Sequence, residues 1–328
     1  MKILVILPNW LGDAVMATPA IEMLAHKYPD VAFTFVGSFV SIEALKHHPK
    51  CKASFIDETK KSKKGRLRAT LAFAKELGSF DIAITFRKQF HSSLLLKKVD
   101  AKSKIARSSW HAKLFGLTHT PNIPTNQHLV LQYASLAFGG EKAFSYDEVP
   151  PLKLYVLKKR FSRPTLGINA GATYGSAKRW YPDRFAEVGA YFSDKFDIII
   201  FGGPNEVEMA KDIQEHLKQK GVKNFTNLAG KTTIEELCHY IGGCDLFITN
   251  DSGPMHVAAA YQVPTVAIFG PTKHTETSQW KNKKSIIVRE DIECAPCMKR
   301  ECPLKHHECM TKISAEMVIQ NAKMLLSH

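Results

Sequence analysis

Residues 2–13, KILVILPNWLGD, decide how the rest of this chain is read. A short apolar strand, Ile3 to Leu7, runs straight into a Pro-Asn-Trp-Leu-Gly turn that ends on Asp13. An apolar run with helical spacing, Ala14 to Leu24, follows. In open α/β sheets ligands bind beyond the carboxyl ends of the strands, so this turn lies where chemistry usually lies. Gly12 lets the backbone approach a ligand closely. Asp13 either caps the helix or takes a proton at the rim, and the cap is the commoner role for an isolated aspartate at a helix start.

The same strand–turn–helix scheme recurs along the chain. Apolar runs at Ala32–Val36, Ala53–Ile56 and Ile82–Phe86 alternate with helical stretches near 14–27, 40–48 and 66–78, and 126–138 reads as a further helix. Such alternation implies a parallel sheet with helices on both faces. The periodicity breaks around Glu148-Val149-Pro150-Pro151, which places a linker at 145–163. Strands at Thr165–Asn169, Asp197–Phe201, Leu246–Thr249 and Thr265–Phe269 then repeat the scheme, separated by helices near 183–193, 206–219, 232–241 and 254–261. The reading is α/β, with two Rossmann-like doubly wound domains, 1–150 and 151–313, facing across a cleft suited to two substrates. A closing helix over 314–328, capped by Ser314, is expected to pack back towards the first domain.

At 328 residues and 45% hydrophobic content, the chain suits two domains with real cores. No apolar run approaches the ~20 residues of a membrane-spanning helix. The N-terminus lacks a signal-peptide layout, which favours a cytoplasmic address. The formal charge of +14 is concentrated in the first half. Lys60, Lys61, Lys63, Lys64, Arg66 and Arg68 form a run with no acid among them, and the span from Arg87 to Lys113 holds Asp100 as its one acid. A solvated surface explains such runs, and so does an anionic partner. No nucleic-acid motif or stacking pattern accompanies them, so nucleic acid is not expected.

Four of the seven cysteines cluster as Cys294-x2-Cys297-x4-Cys302-x6-Cys309, around His306 and His307. Only the first pair has zinc-knuckle spacing, so reduced or loosely paired thiols are favoured over a metal.

Strand-end loops in the second half hold the other candidates. Residues 169–180, NAGATYGSAKRW, combine small residues and hydroxyls with Lys178, a plausible phosphate cradle that lacks Walker spacing. Phe201-Gly202-Gly203-Pro204-Asn205-Glu206 offers an acid for ribose hydroxyls, although a lone glutamate opening a helix is more often a dipole partner, the reading that spacing alone favours. In Asn250-Asp251-Ser252-Gly253-Pro254-Met255-His256 a strand ends and a helix begins, and free helix-start amides bind phosphate. Phe269-Gly270-Pro271-Thr272 is a weaker turn of the same kind.

Taken together, LPNWLGDAVMATPA, GATYGSAKRW, TNDSGPMHVAAA with FGPT, and CAPCMKRECPL resemble, in order and over nearly the whole chain, the ADP-heptose:lipopolysaccharide heptosyltransferases of glycosyltransferase family 9. Within that family the first loop is most similar to the enzymes that add the second inner-core heptose. The resemblance implies a GT-B fold with an N-terminal acceptor domain and a C-terminal nucleotide-sugar domain. It implies inverting transfer of L-glycero-D-manno-heptose without metal or cofactor, with Asp13 as general base. Lys178 would serve catalysis and the donor together. Gly12, Thr173, Tyr174, Glu206, Asp251, Ser252, Gly253, Met255 and His256 would complete the ADP-heptose site. The acceptor, a phosphorylated lipopolysaccharide inner core, gives Lys60, Lys61, Lys63, Lys64, Arg66, Arg87 and Lys88 a role as an anionic platform. It also implies an enzyme peripheral on the inner face of the cytoplasmic membrane.

The physical chemistry agrees with these roles. A single in-line displacement needs one base and a stabilised leaving group, and a lysine with helix-start amides can stabilise departing ADP. No DxD-type pair is present, since Asp81, Asp245 and Asp251 stand apart. Competing readings are another family 9 transferase acting on a different core sugar, a nucleotide-sugar epimerase, and a basic nucleic-acid-binding module.

Overall fold

The computed structural model describes residues 1–63 and 65–327, so Lys64 of the acceptor run lies outside the described residues. The chain divides into two compact units, Met1–Tyr155 and Val156–His328, and the division falls inside the stretch read as a linker.

In the first unit, β1 (Lys2–Ile6), β2 (Ala32–Gly37), β3 (Cys51–Ile56), β4 (Ser79–Thr85) and β5 (Asp100–Ala106) form an all-parallel sheet in the order β3-β2-β1-β4-β5. The central strand β1 is apolar on both faces, with Ile3, Leu4, Val5 and Ile6 fully buried, because helices cover both sides. β5 (DAKSKIA) is missing from the sequence reading. It is an edge strand whose exposed positions carry Asp100 and Lys102, so it lacks the apolar run of a central strand.

In the second unit, β6 (Thr165–Asn169), β7 (Asp197–Phe201), β8 (Phe225–Asn227), β9 (Leu246–Asn250), β10 (Thr265–Ile268) and β11 (Ser285–Val288) form a second parallel sheet, β11-β10-β9-β6-β7-β8. The two outermost strands, β8 and β11, are short and half-exposed, which hid them from an apolar-run criterion. The core gathers Leu166, Ile168, Phe185, Ile213, Leu246 and Ile248.

The closing helix, Ala315–Leu326, is capped by Ser314, whose side chain accepts from Met317 N. Val318, Ile319 and Ala322 pack it into this second core, against Pro182–Phe192 and the β10–β11 edge. Its apolar stripe covers the β10–β11 edge of the sheet in its own unit.

Each sheet has one place where the strand order reverses direction. It lies between β1 and β4 in the first unit and between β6 and β9 in the second. Open α/β sheets bind ligands at that switch point. The loop carrying Asp13 follows β1, and the loops carrying Lys178 and Asp251 follow β6 and β9.

Candidate active site

The first-unit loop is braced along its backbone. Arg87 Nε donates to Leu7 O at 2.7 Å, Ser41 Oγ donates to Pro8 O, and Ser38 Oγ donates to Asn9 O at 2.8 Å. Ser38 is also the cap of helix Phe39–Leu45, accepting from Ser41 N, so a helix start and the loop share one anchor.

The cap of the helix Leu11–Met16 is Trp10, in extended conformation and with no side-chain cap bond. Asp13 therefore lies inside the first helical turn, where the helix dipole favours a carboxylate. It is half-exposed, with Gly12 buried beside it. Asp13 is therefore not the N-cap residue of this helix.

One cation and a phenol feel its field, and Arg107 acts on both. The Lys88 ammonium is lowered by burial and by Arg107, and Asp13 opposes that shift. The buried Tyr133 phenol is pushed well above its ordinary value by burial and by Asp13, with Arg107 opposing. Arg107 Nη2 donates to Gln132 Oε1 at 2.7 Å, and Gln132 Nε2 donates to Gln127 O at 2.9 Å. Arg107, Gln132 and Tyr133 were not singled out from sequence. Arg107 stands directly after β5, so locating that edge strand would have exposed it.

The expected acceptor platform divides. Lys60, Lys61 and Lys63 are exposed, with Lys61 paired to Glu58 at 3.0 Å, and the exposed Lys88 sits beside Asp13's field. Arg66 is half-buried at the start of helix Arg66–Glu76. Arg87 is corrected to a structural role. It is 8% exposed and paired with Asp57 at 2.7 Å, in addition to holding Leu7 O. A linear charge run cannot show that one of its members has turned inward.

At the second switch point, two asparagines end the adjacent strands and knit the loops together. Asn250 Nδ2 donates to Ala170 O at 2.5 Å, and Trp180 N donates to Asn250 Oδ1 at 3.1 Å. Asn169 Nδ2 donates to Ser252 Oγ at 3.2 Å and to Gly171 O at 3.3 Å. Neither asparagine was assigned a role from sequence. Their positions at strand ends were the available signal.

These bonds set Lys178 against Asp251. Lys178 Nζ lies 2.5 Å from Asp251 Oδ2, which also accepts from Thr272 Oγ1 at 2.6 Å. The Lys178 ammonium stands 4.7 Å from the Tyr174 ring centroid. The two side chains are 12% and 4% exposed, so the aspartate is the more deeply buried partner. Asp251 is therefore better placed to aim Lys178 than to meet a diphosphate, and Thr272, weak by sequence, joins the network.

Ser252 and Gly253 are half-exposed at the start of helix Gly253–Ala260, whose first N–H groups have no partner within the helix. Thr173 is exposed on the loop, and His256 is 3% exposed. Met255 is a correction. It is fully buried with Ala267 and Phe269 and presents no surface to an adenine. Its packing against β10 and the residue after it takes it into the core. Glu206 Oε2 accepts from Gly203 N at 2.8 Å, and its carboxylate lies 2.0 Å from where a Cβ on Gly171 would stand. Only a glycine at 171 lets this acid close against the loop.

The cysteine-rich segment braces the same loop. Ala177 N donates to Arg300 O at 3.0 Å, Tyr174 OH donates to Met298 O at 2.8 Å, and Met298 N donates to Pro271 O at 2.8 Å. His307 bridges Ala177 O and Tyr181 OH, each at 2.9 Å. Cys294, Cys297, Cys302 and Cys309 are free thiols lining a pocket with His306 and His307. Burial and the three neighbouring thiols push Cys309 up to about 11. Among the described residues, no three His, Cys, Asp or Glu side chains are arranged to hold a metal ion.

Known proteins resemble this chain over its length. The profile of glycosyltransferase family 9 (heptosyltransferase) matches residues 70–308. The chain is 43% identical over 337 residues to Lipooligosaccharide heptosyltransferase 2 of Campylobacter jejuni subsp. jejuni serotype O:2, covering 100% of this chain and 99% of that one. It is 26% identical over 353 residues to Lipopolysaccharide heptosyltransferase 2 of Escherichia coli K12, covering 99% of each. Among solved structures, E. coli ADP-heptose LPS heptosyltransferase II superimposes with a TM-score of 0.82 at 24% identity, over 100% of this chain and 99% of that one. E. coli heptosyltransferase WaaC with ADP gives 0.79 at 18%, over 99% and 100%. The chain therefore belongs to glycosyltransferase family 9, the heptosyltransferases, and its two doubly wound units are those of the GT-B fold.

Proposed function

We propose that this glycosyltransferase moves L-glycero-D-manno-heptose from ADP-heptose to a phosphorylated lipopolysaccharide inner core that already carries one heptose, with inversion at the anomeric carbon. An acceptor hydroxyl oxygen attacks that carbon as the bond to the ADP oxygen breaks. Asp13 takes the hydroxyl proton, and ADP leaves with the electron pair. The observation that carries this reading is Lys178, aimed by Asp251 and Thr272 beside a helix start at a switch point. As it stands the Lys178–Asp251 pair is neutral. Stabilisation of ADP then comes from the helix-start N–H groups and from Lys178 turning from the carboxylate to phosphate oxygens, without need of a metal. Glu206, closed against the loop, remains the candidate for ribose.

The relatives named heptosyltransferase 2, matched over full length, support the donor and the step. Lys60, Lys61, Lys63, Lys88 and Arg107 supply cations suited to a polyanionic acceptor. No helix among the described residues is long and apolar enough to cross a membrane. The reading places the enzyme in the cytoplasm, peripheral to the inner membrane, where its lipid-linked acceptor lies.

A transfer assay with ADP-heptose and acceptors bearing zero or one heptose tests this directly. Product is expected on the one-heptose acceptor. Product on the heptose-free acceptor alone moves the enzyme to the preceding step, and no product on either removes the reading.

A further inference from the structure

Helix Trp110–Leu114 exposes its two large apolar side chains and buries a histidine. His111 and Ala112 turn inward, 7% and 0% exposed, while Trp110 and Leu114 stand outward at 70% and 71%. The orientation is fixed at both the cap and the buried ring. Ser109 Oγ accepts from Ala112 N at 3.2 Å, and His111 Nδ1 meets Ser93 Oγ at 3.0 Å. A helix that serves only a core buries its apolar residues and exposes its polar ones. Here a histidine is inside and the tryptophan is outside.

The exposed side chains join a larger apolar platform. The Phe90 ring, 37% exposed, lies 6.0 Å from Trp110 and 5.2 Å from Phe115. Lysines surround it. Lys113 is exposed between Trp110 and Leu114, and the Lys97 ammonium reaches the end of this helix, 3.9 Å from where a Cβ on Gly116 would stand. Lys98 and Lys104 lie close to Lys97. The Lys104 ammonium is lowered by burial and by Lys97, with Asp100 opposing and Lys98 adding to the effect. From Arg87 to Gly140, Asp100 is the single acid.

An outward tryptophan and leucine within a lysine rim is the composition that settles at the headgroup level of an anionic bilayer, aromatic ring inserted and ammonium groups at phosphates. We propose that Phe90, Trp110 and Leu114, with Lys97 and Lys113, form the surface that docks this enzyme on an anionic lipid bilayer. The position of the patch suits that use. Phe90 follows Lys88 by two residues and Trp110 follows Arg107 by three; Lys88 lies in the field of Asp13, and Arg107 acts on Lys88. A membrane held here presents a lipid-linked sugar at the strand-end face that carries the base. That last point rests on the proposed transfer reaction; the docking surface itself does not.

Vesicle flotation tests it. The parent protein is expected to float with phosphatidylcholine–phosphatidylglycerol vesicles and not with phosphatidylcholine alone, and to release as salt is raised. Each lysine near an anionic surface contributes about five-fold. Lys97→Glu with Lys113→Glu should therefore lower binding by at least ~10-fold. Trp110→Ser with Leu114→Ser should lose a comparable factor while keeping the parent melting curve and the parent rate on a delipidated acceptor in solution. Flotation of the Trp110/Leu114 variant equal to the parent overturns the proposal. So does equal binding of the parent to both vesicle types, or an effect of the variant on self-association alone. A parent that floats but transfers to no acceptor breaks the transfer reading instead, so the two failures are separable.

Discussion

The two units wind their chains alike and place opposite charges at equivalent positions. After β1, at the first switch point, stands a half-exposed carboxylate, Asp13, whose field reaches Lys88. After β6, at the second, stands a cation, Lys178, backed by a buried carboxylate. In open sheets of this kind the fold supplies the place for a ligand, and the residues of the strand-end loops set its charge. A carboxylate near a cation suits a site that receives a polyanion and removes a proton. A lysine held by a carboxylate at a helix start suits a site where negative charge develops on a leaving group.

The contrast can be broken most sharply at Asp13. Asp13→Ala is expected to lower turnover by ~10²–10⁴-fold, the usual worth of a general base, while ADP binding measured by calorimetry stays near the parent value. Unchanged turnover would remove Asp13 from the reaction. The matching change in the second unit, Lys178→Ala, is expected to cost ~10²–10³-fold in turnover and to raise the ADP-heptose KM as well. A variant with parent kcat and parent KM would leave the second switch point without its proposed cation.

Arg87 separates structural from ligand-binding charge within the first unit. Arg87→Met leaves Asp57 buried and unpaired, so about 3–5 kcal/mol of stability should be lost in denaturant unfolding. Lys60→Ala with Lys63→Ala should instead keep the unfolding midpoint and raise the acceptor KM several-fold in a salt-dependent way. If Arg87→Met unfolds like the parent and only the acceptor KM rises, the assignment of Arg87 to the loop brace fails.

The smallest expected effect is on acid stability. Burial alone would raise the Asp57 carboxyl, but Thr59 and Arg87 together outweigh it and hold the group below its ordinary value. Its contribution is then fully present above the unfolded carboxyl value of about 3.9 and is lost as pH falls through the lower folded value. Acid unfolding curves below about pH 4 should therefore be flatter in Asp57→Asn, starting from a lower plateau at neutral pH. Parallel curves would mean that the pair adds nothing to acid sensitivity.

Much of this architecture is legible from local pattern. Central strands such as Ile3–Leu7 and Asp197–Phe201 are covered on both faces and so read as unbroken apolar runs. Edge strands are not: Asp100–Ala106 carries lysines along its exposed side, and Phe225–Asn227 is too short to register. Among the candidate site residues, Lys178 and Ser252-Gly253 follow strand ends, and Asp13 stands in the first turn of the helix after β1. Arg87 and Met255 were misread because burial depends on the neighbouring elements that fold against a residue.

By itself, the sequence determined the alternation of strand and helix and the loops that follow the central strands. All of these follow from periodicity and turn composition within short windows. Only the tertiary structure decided which charges face solvent and which are paired. It turned Arg87 inward onto Asp57, set Asp251 behind Lys178 and left Trp110 outside while His111 went in. The physical reason is that the free energy of a charge or an aromatic ring depends on its burial and its partners, and those are contributed by residues far away in the chain.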